Sequence, residues 1–524
     1  MKTKLLLSLA LFLGNYSMIL GQCVPPADKT CIEDDQFEAY LESAGLGDDI
    51  PNNDLVFTSR IQVVTDLDVS AQGIKSMNGI EAFTALQNLN CSSNNLLTSL
   101  NVFNNTSITE LRIFNCSINN LTLPNNNTLT YLSCGNNNLP GLDVSGYPNL
   151  TYLACANNLN GDLGVMDLKP NTKLITLYLH NSGVTSLDIS TCTDLDLLHC
   201  FTTNEFSNAN NLSTLDISAN TKLREVRCYN IGLNTIIYSA SPYNNMTFID
   251  CGSNNLNSLE LAKFPNIETL WCYYNNLSSL DFSNNILLQS LDFGGNSGLT
   301  NINLSMLANL VTVWGYDTLN LNSLTLPTNS TTLENIWFFQ NGLSTLDFTT
   351  NTGLQRMDIA GGNFSDIDVS MLTNLTQLYC NKSNLLTSLN IANGNIDSFD
   401  WMWADENPLL DCIQVDDETK AYGKSQPNWK RDFDTEFSLN CSLSVDEFLK
   451  ESISLYPNPT KNKVFLETVL SVSYNLLNIQ GQEMFKGHFS IGMNEMDLSN
   501  LPQGLYFLNL ESPDGSHVKK ILKN

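Results

Sequence analysis

The sequence predicts a mainly β protein: a solenoid of short parallel strands, closed at its start by a small helical N-cap and followed by a C-terminal β-sandwich. Three observations carry that expectation. From about Val64 to Phe399 one apolar pattern returns every 21–23 residues, with two longer units of about 24 and 28. Inside each copy the apolar positions are two apart, which is strand rather than helix spacing. Beyond about residue 455 the repeat gives way to a different run of short alternating strands, as an appended β-sandwich would show.

The N-terminus reads as an address. Lys2 and Lys4 precede an apolar run over residues 5–13, and Gly21 offers a small residue for cleavage before Gln22. That is the layout of a secretory signal peptide at 1–22, with an apolar core too short for a permanent anchor. Gln22 stands where a lipoprotein signal wants a small residue, which argues against lipidation of Cys23. No later stretch is apolar enough to span a bilayer, so the mature chain is expected not to be membrane-spanning. An N-terminal cap follows at 23–62. There Phe37, Tyr40, Leu41 and Ala44 share helical spacing, with Asp34 as N-cap and Gly45 as stop.

The solenoid is placed at 63–400, with about fifteen repeats. One clear copy carries Ile267, Leu270, Cys272, Asn275, Leu277, Leu280 and Phe282. Leu270 and Cys272 are two apart, so both point inward from a short strand. Asn94, Asn137, Asn158, Asn254, Asn275, Asn296 and Asn341 recur at the turn, where a side-chain amide can satisfy backbone groups that a buried turn would orphan. The second half of the repeat, as in Leu142 to Val144 or Leu187 to Ile189, alternates again and suggests a second short strand or extended turn. One coil cannot bury its leucines alone, so the coils must stack. At about 4.8 Å per coil such a stack would run roughly 70 Å. The pattern resembles the bacterial leucine-rich repeats that carry Cys at the third core position. Departures are local: Cys116 takes an Asn position with Ile113 at the Cys position, and Thr203, Thr318 and Ser383 replace Asn in other copies.

Cysteines sort by position. Cys91, Cys134, Cys155, Cys200, Cys228, Cys251, Cys272 and Cys380 share the inward core position, where a small thiol packs well and parallel side chains rarely reach disulfide torsions. They are expected to be free. Cys23 with Cys31 and Cys412 with Cys441 lie outside that ladder and are expected as disulfides of the two end caps, the second cap being placed at 401–441. No CxxC or His pairing suggests a metal site, and no cofactor is implied. The recurring Asp143, Asp188, Asp216, Asp281, Asp347 and Asp368 could form a calcium ladder, but solvated acids beside Ser and Thr are the expected reading.

After a linker at 442–454, residues 455–524 show Tyr456, Pro457, Asn458 and Pro459, a turn at Gly481 and Gln482, the strand Gly504, Leu505, Tyr506, Phe507, and a basic end from Lys519 to Lys523. These residues resemble the type A C-terminal sorting domain of type IX secretion, in Bacteroidetes-type bacteria. The resemblance implies a partner, the type IX secretion machinery. It also implies passage across the outer membrane, removal of the domain, and release of the cargo or its attachment to surface lipopolysaccharide.

Function is then sought on the outward strand positions, just before and just after the Cys position. Early coils show small residues, such as Asn90 with Ser92, Ser133 with Gly135, and Ala154 with Ala156. Middle and late coils show Tyr178 with His180, His199 with Phe201, Arg227 with Tyr229, Trp271 with Tyr273, Trp314 with Tyr316, Trp337 with Phe339, and Tyr379, interleaved with Asp250, Asp292 and Asp358. An aromatic stripe with scattered carboxyl groups suits a glycan or a protein ligand. The alternatives are rings that merely stack between coils, or a face that mediates self-association.

A net charge of −28, carried by a chain with only 15% charged residues, argues against nucleic acid and anionic lipid as partners. The sequence lacks the nucleophile elbow, the phosphate-binding glycine loop and the zinc-binding His pair. His180 and His199 fall in consecutive coils without an evident nucleophile, and Asp250 with Asp292 beside Trp271 could only imitate a glycosidase cleft on an open face. The expectation is a secreted or cell-surface binding protein, not an enzyme.

Overall fold

The computed structural model describes residues 23–158, 162–203, 209–424, 427–441, 453–512 and 515–524. The expected signal peptide and most of the expected linker lie outside the described residues. The chain divides into two compact units, Met1–Gly362 and Asn363–Asn524.

The first unit opens with the cap. Asp34 accepts hydrogen bonds from the amides of Gln36 and Phe37 and so starts the helix Asp35–Ser43. Gly45, at φ +71°, stops it. Phe37 and Leu41 are fully buried, and Phe37 packs on Phe83 of an early coil with ring centroids 6.1 Å apart. The other carboxylate oxygen of Asp34 accepts from the amides of Lys75 and Ser76, so one residue both caps the helix and pins it to the solenoid. Ala44, expected on the inner face, is exposed, and Glu38 is buried in its stead, with its carboxylate on the amide of Asn53. A hairpin, Lys29–Cys31 with Leu55–Phe57, and a one-turn helix, Thr58–Ile61, complete a cap that holds more than the single helix expected. The Cys23–Cys31 disulfide ties its start.

From Asp66–Asp68 to Arg356–Asp358, three-residue strands pair in parallel in sequence order, one per coil, as an open ladder. The middle residue of each strand is buried, fully so in Leu89, Leu177 and Leu291, and the next inward residue is the Cys position. Every cysteine expected at that position is a buried free thiol. Burial pushes the thiols of Cys91, Cys134, Cys155, Cys200, Cys228, Cys251 and Cys272 up, to about 12 in Cys155 and Cys200, so these stay protonated and unreactive. Where Cys is absent the volume is compensated. Gly315 sits between coils that carry Phe293 and Phe338, and a Cβ there would come within 2.4 Å of the Phe293 ring. Large, none, large fills the same space as three medium side chains.

Asparagine closes the turn as expected. Asn254 donates to the carbonyls of Cys228 and Cys251 and accepts from the amides of Ile231 and Leu233. Cys116, in an Asn place, donates its thiol to the Cys91 carbonyl. In the copy with Thr203, Asn210 performs the task through bonds to the carbonyls of Leu179 and Cys200. A second amide ladder was not anticipated. Asn105, Asn171, Asn220 and Asn285 are buried just after the second apolar half of their repeats, and each donates to two carbonyls of the preceding coil. Cys192 stands in that same ladder and donates its thiol to the carbonyls of Leu168 and Asn171. The second strands pair in parallel where they form, as in Ser99–Asn101 with Asn120–Thr122 and Asn301–Asn303 with Ser323–Thr325. The aspartates of this half of the repeat, in a strand or not, are turn formers: Asp143, Asp188, Asp216, Asp281 and Asp347 each accept from the amide two residues on.

The second unit begins with further coils. The strand Gln377–Tyr379 pairs with Trp401–Ala404, and that strand pairs with Trp429–Arg431. The ladder therefore runs past the boundary expected at 400. Its last coils are longer, which is why the sequence period fades there. A second parallel sheet joins Asp366–Asp368, Ser388–Asn390, Cys412–Gln414 and Glu436–Ser438, and the Cys412–Cys441 disulfide closes it. Asp368, the last of the recurring aspartates, accepts from the amide of Ser370.

Residues from Ile453 onward form two antiparallel sheets. One holds Ile453–Tyr456, Lys463–Thr468 and Gly492–Asp497; the other orders Glu483–Phe489, Val472–Asn478, Gly504–Ser512 and Gly515–Lys523. They enclose Val464, Leu466, Val472, Leu476, Leu508, Leu510 and Ile521. Among the described residues no helix is long and apolar enough to cross a membrane.

Candidate functional site

Three outward columns run along the strand ladder of the first unit, because residues two apart share a face. The middle column is fixed by the pairing register: Tyr178, His199, Arg227, Asp250, Trp271, Asp292, Trp314, Trp337 and Asp358 lie on successive strands. The column two residues further on carries His180, Phe201, Tyr229, Tyr273, Tyr316 and Phe339. All the ring residues expected on this face are half-buried, so neighbouring coils cover part of each. Tyr379 lies in the second unit, edge-on to Trp403 at 5.2 Å.

The structure corrects the expected restriction of rings to middle and late coils. The first residue of each strand also faces outward, and there Tyr131 stacks on Tyr152, with centroids 4.2 Å apart, while Arg112 lies 4.4 Å over Tyr131. Phe114 is exposed in another early coil. The same alternation that located Trp271 should have located Tyr131, Tyr152 and Phe248, since position three before the Cys obeys the same rule.

Much of the stripe is satisfied by its own neighbours. His180, Phe201 and Tyr229 form a continuous stack with 4.5 Å between successive centroids. Tyr316 stacks on Phe339 at 5.2 Å. Burial lowers the His180 imidazole to about 4, so it is neutral near pH 7. Burial also lowers His199, whose Nε2 lies 2.9 Å from the Glu225 carboxylate. Glu225 further accepts from Arg227 Nε at 2.7 Å, and Arg227 lies 4.4 Å over the Phe248 ring. These two histidines are parts of a stacked, ion-paired surface.

One part of the face is recessed. A depression of about 420 Å³ is lined by Arg227, Tyr229, Asp250, Trp271, Tyr273, Asp292 and Trp314. Small residues in the flanking column shape it. A Cβ at Gly252 would meet the Tyr273 ring at 2.4 Å, and one at Gly294 would meet the Tyr316 ring at 2.7 Å, so each tyrosine occupies space that a glycine leaves open. Trp271 is held by an edge contact with Phe248 at 5.3 Å and by donation from Nε1 to Ser290 Oγ at 3.1 Å. Asp250 and Asp292 each accept from the amide two residues on, Gly252 and Gly294. Burial raises both carboxyl groups, to about 7 in Asp250 and about 6 in Asp292, and raises Asp358 to about 6.

That elevation has a pH consequence with a fixed sign. A carboxyl group whose folded pKa exceeds its unfolded value stabilises the fold most below the unfolded value, near 3.8, and loses that contribution as pH rises through about 7. His180 runs the other way, since its folded pKa is lowered and its contribution is lost as pH falls from about 6.5 to about 4. The two trends oppose each other in that acidic range, so the parent chain alone does not isolate the aspartate. An Asp250→Asn variant does. It keeps the acceptor for Gly252 and cannot ionise, so its melting temperature relative to the parent should rise between pH 5 and pH 8. A constant difference across that range would show that Asp250 does not titrate there.

The ladder of parallel strands, with inward Leu and Cys and Asn at the turn, is the leucine-rich-repeat fold. Among solved structures, the functional domain of InlJ from Listeria monocytogenes, described as including a cysteine ladder, is 21% identical and superposes with a TM-score of 0.61, covering 95% of this chain and 99% of that one. YopM from Yersinia enterocolitica (17% identity, 72% and 89% coverage, TM-score 0.48) and the internalin InlF of Listeria monocytogenes (17%, 76% and 94%, 0.36) are also similar. No curated protein matches the chain. Residues 454–524 match the family described as the secretion system C-terminal sorting domain. The chain is a leucine-rich-repeat protein with a type IX sorting domain at its C-terminus, which directs it to the cell surface or the extracellular space.

Proposed function

We propose that the chain is an exported binding protein that captures an extracellular glycan or protein ligand on its strand face and so serves adhesion, without catalysing a reaction on it. The observation that carries this reading is the recess at Trp271, where four aromatic rings converge with the buried carboxyl group of Asp250 and the half-buried one of Asp292. The site residues are Arg227, Tyr229, Trp271, Tyr273 and Trp314. Tyr178, His180, His199, Phe201, Tyr316, Trp337 and Phe339 extend the contact surface on either side. Such a face has one wall, leaves its bound partner wet, and presents rings whose burial by a partner contributes roughly 1.5–3 kcal/mol each. Those are properties of a recognition surface rather than of a reaction chamber.

The test is a glycan and protein array probed with the exported chain and with a Trp271→Ala/Trp314→Ala/Trp337→Ala variant. Binding by the parent, with at least about a hundredfold loss in a variant that melts normally, is the expected result. Equal binding by both would make these rings packing between coils and remove the face as the site.

A further inference from the structure

We infer that the recess on the strand face is built for an organic cation, an alkylammonium group seated among Tyr229, Trp271, Tyr273 and Trp314 and against the carboxyl groups of Asp250 and Asp292. The inference rests on the reading of this face as a binding surface and specifies what its recess takes.

The register sets the arrangement. Asp250 and Asp292 flank Trp271 on the two adjacent strands, and Asp292 lies between Trp271 and Trp314. Two strand spacings separate the two aspartates, and likewise the two tryptophans, by about 9.6 Å. A short acidic residue between two indoles makes a notch with aromatic walls and an oxygen-bearing floor. Such a combination attracts a cation twice, through the ring quadrupoles and through the carboxyl oxygens.

The other charged and titratable groups at the recess leave room for one more positive charge. Arg227 lines the recess, but its guanidinium is bonded to Glu225 and lies over Phe248. Tyr229, Tyr273 and Tyr316 are all raised by burial and stay neutral, with the Tyr316 hydroxyl 3.5 Å from Asp292. The thiols beneath, Cys251 and Cys272, are likewise raised and neutral. Asp250 is 3% exposed and Asp292 is half-buried; among the described residues no cationic side chain is hydrogen-bonded to either, and Arg227 acts on Asp250 only through space. An incoming ammonium supplies that counter-charge. Its arrival lowers the carboxyl pKa values, so binding near pH 6.5 expels protons. A neutral sugar stacked on the same indoles would not.

The experiment is a calorimetric titration of the exported chain at pH 6.5, in two buffers of different protonation enthalpy. Choline is the cationic probe, and 3,3-dimethylbutan-1-ol is its uncharged isostere. An Nε-trimethyllysine amide is added to separate a protein side chain from a free or headgroup ammonium as the source. Choline or the lysine derivative should bind at least about tenfold more tightly than the isostere, with proton release. Asp292→Asn and Trp314→Ala, each melting as the parent does, should each lose about tenfold. Whichever cation binds more tightly identifies the source, and either supports the cation class. Equal binding of the isostere, or no binding of either cation, would overturn the inference. The array result separates the two readings: loss of array binding in the triple tryptophan variant, beside no cation binding, leaves the face as a site and removes only its cation.

Discussion

Replacing Asn254 by Ala is expected to destabilise its coils by at least about 3 kcal/mol, since three buried backbone groups lose their partner at roughly 1 kcal/mol or more apiece. The amides of Ile231 and Leu233 and the carbonyl of Cys228 are bonded to the Asn254 side chain. The Cys251 carbonyl fares better, because Asn275 of the next coil also donates to it. No water reaches these groups as a substitute, for Asn254 is 8% exposed and its neighbours Cys228, Cys251 and Leu233 are fully buried. Stability in a solenoid is nearly a sum of coil and interface contributions, so the loss should stay local. Amide exchange should accelerate at Ile231, Leu233 and the adjoining coils, while the coils near Leu89 keep their protection. Asn266→Ala is the control. Asn266 is exposed and donates one bond to the Asn244 carbonyl, so its removal should cost less than about 0.5 kcal/mol. Uniform exchange across the solenoid in the Asn254 variant would mean that the stack opens as one unit.

Asn254 also shows what the sequence makes legible. A buried turn must satisfy its backbone, and an amide that both donates and accepts is the side chain that can do it, so the recurrence of Asn after Cys betrays both the turn and the stack. The disulfides were legible for a related reason: Cys23, Cys31, Cys412 and Cys441 break the ladder's period, and solenoid ends need closing. The second amide ladder was legible but not read: Asn105, Asn171, Asn220 and Asn285 each stand three residues after a buried apolar residue, Val102, Leu168, Ile217 and Phe282, a recurrence masked by the many other Asn of the chain. Extension of the strands past Phe399 was hidden, since the spacing from Tyr379 to Trp403 to Lys430 exceeds the ordinary period.

On the candidate face alternation put the expected rings outward, but it was not carried to Tyr131, Tyr152 and Phe248 and could not place rings against each other. Whether Tyr273 stands up or lies across the preceding coil depends on Gly252, a residue of a different repeat that looks inert in the sequence. Whether Asp250 is a solvated acid or a buried one depends on the rings around it, and burial leaves no mark on the residue itself. Register and neighbour size across coils, rather than anything within one coil, convert a stripe of aromatics into one recess.

Asn458→Ala is expected to reduce export as severely as removal of residues 454–524, although it changes a single side chain on the surface of the sorting domain. Two segments that mark the domain in sequence, Tyr456 to Pro459 and Lys519 to Lys523, meet through that residue. Asn458 Nδ2 donates to the Lys520 carbonyl at 2.6 Å, and its Oδ1 accepts from the Leu522 amide at 2.8 Å. The Thr460 amide continues the contact to the Leu522 carbonyl at 2.9 Å, and the Lys523 ammonium turns inward to the Leu501 carbonyl. The last strand, Gly515–Lys523, is an edge strand paired on one side to Gly504–Ser512, so these contacts hold its outer end in place. Both Asn458 bonds lie at the surface and their loss costs up to about 1 kcal/mol, so the expected export defect comes from release of the terminal strand rather than from unfolding of the domain. The outcome is read by cell fractionation, with the variant retained inside the outer membrane and the parent outside it. Lys463→Ala, which removes an exposed ion pair with Glu495 on the other sheet, should export normally. Normal export of Asn458→Ala would show that the machinery reads the terminal strand without needing it docked, and would move the recognition determinant to the exposed side chains of that strand.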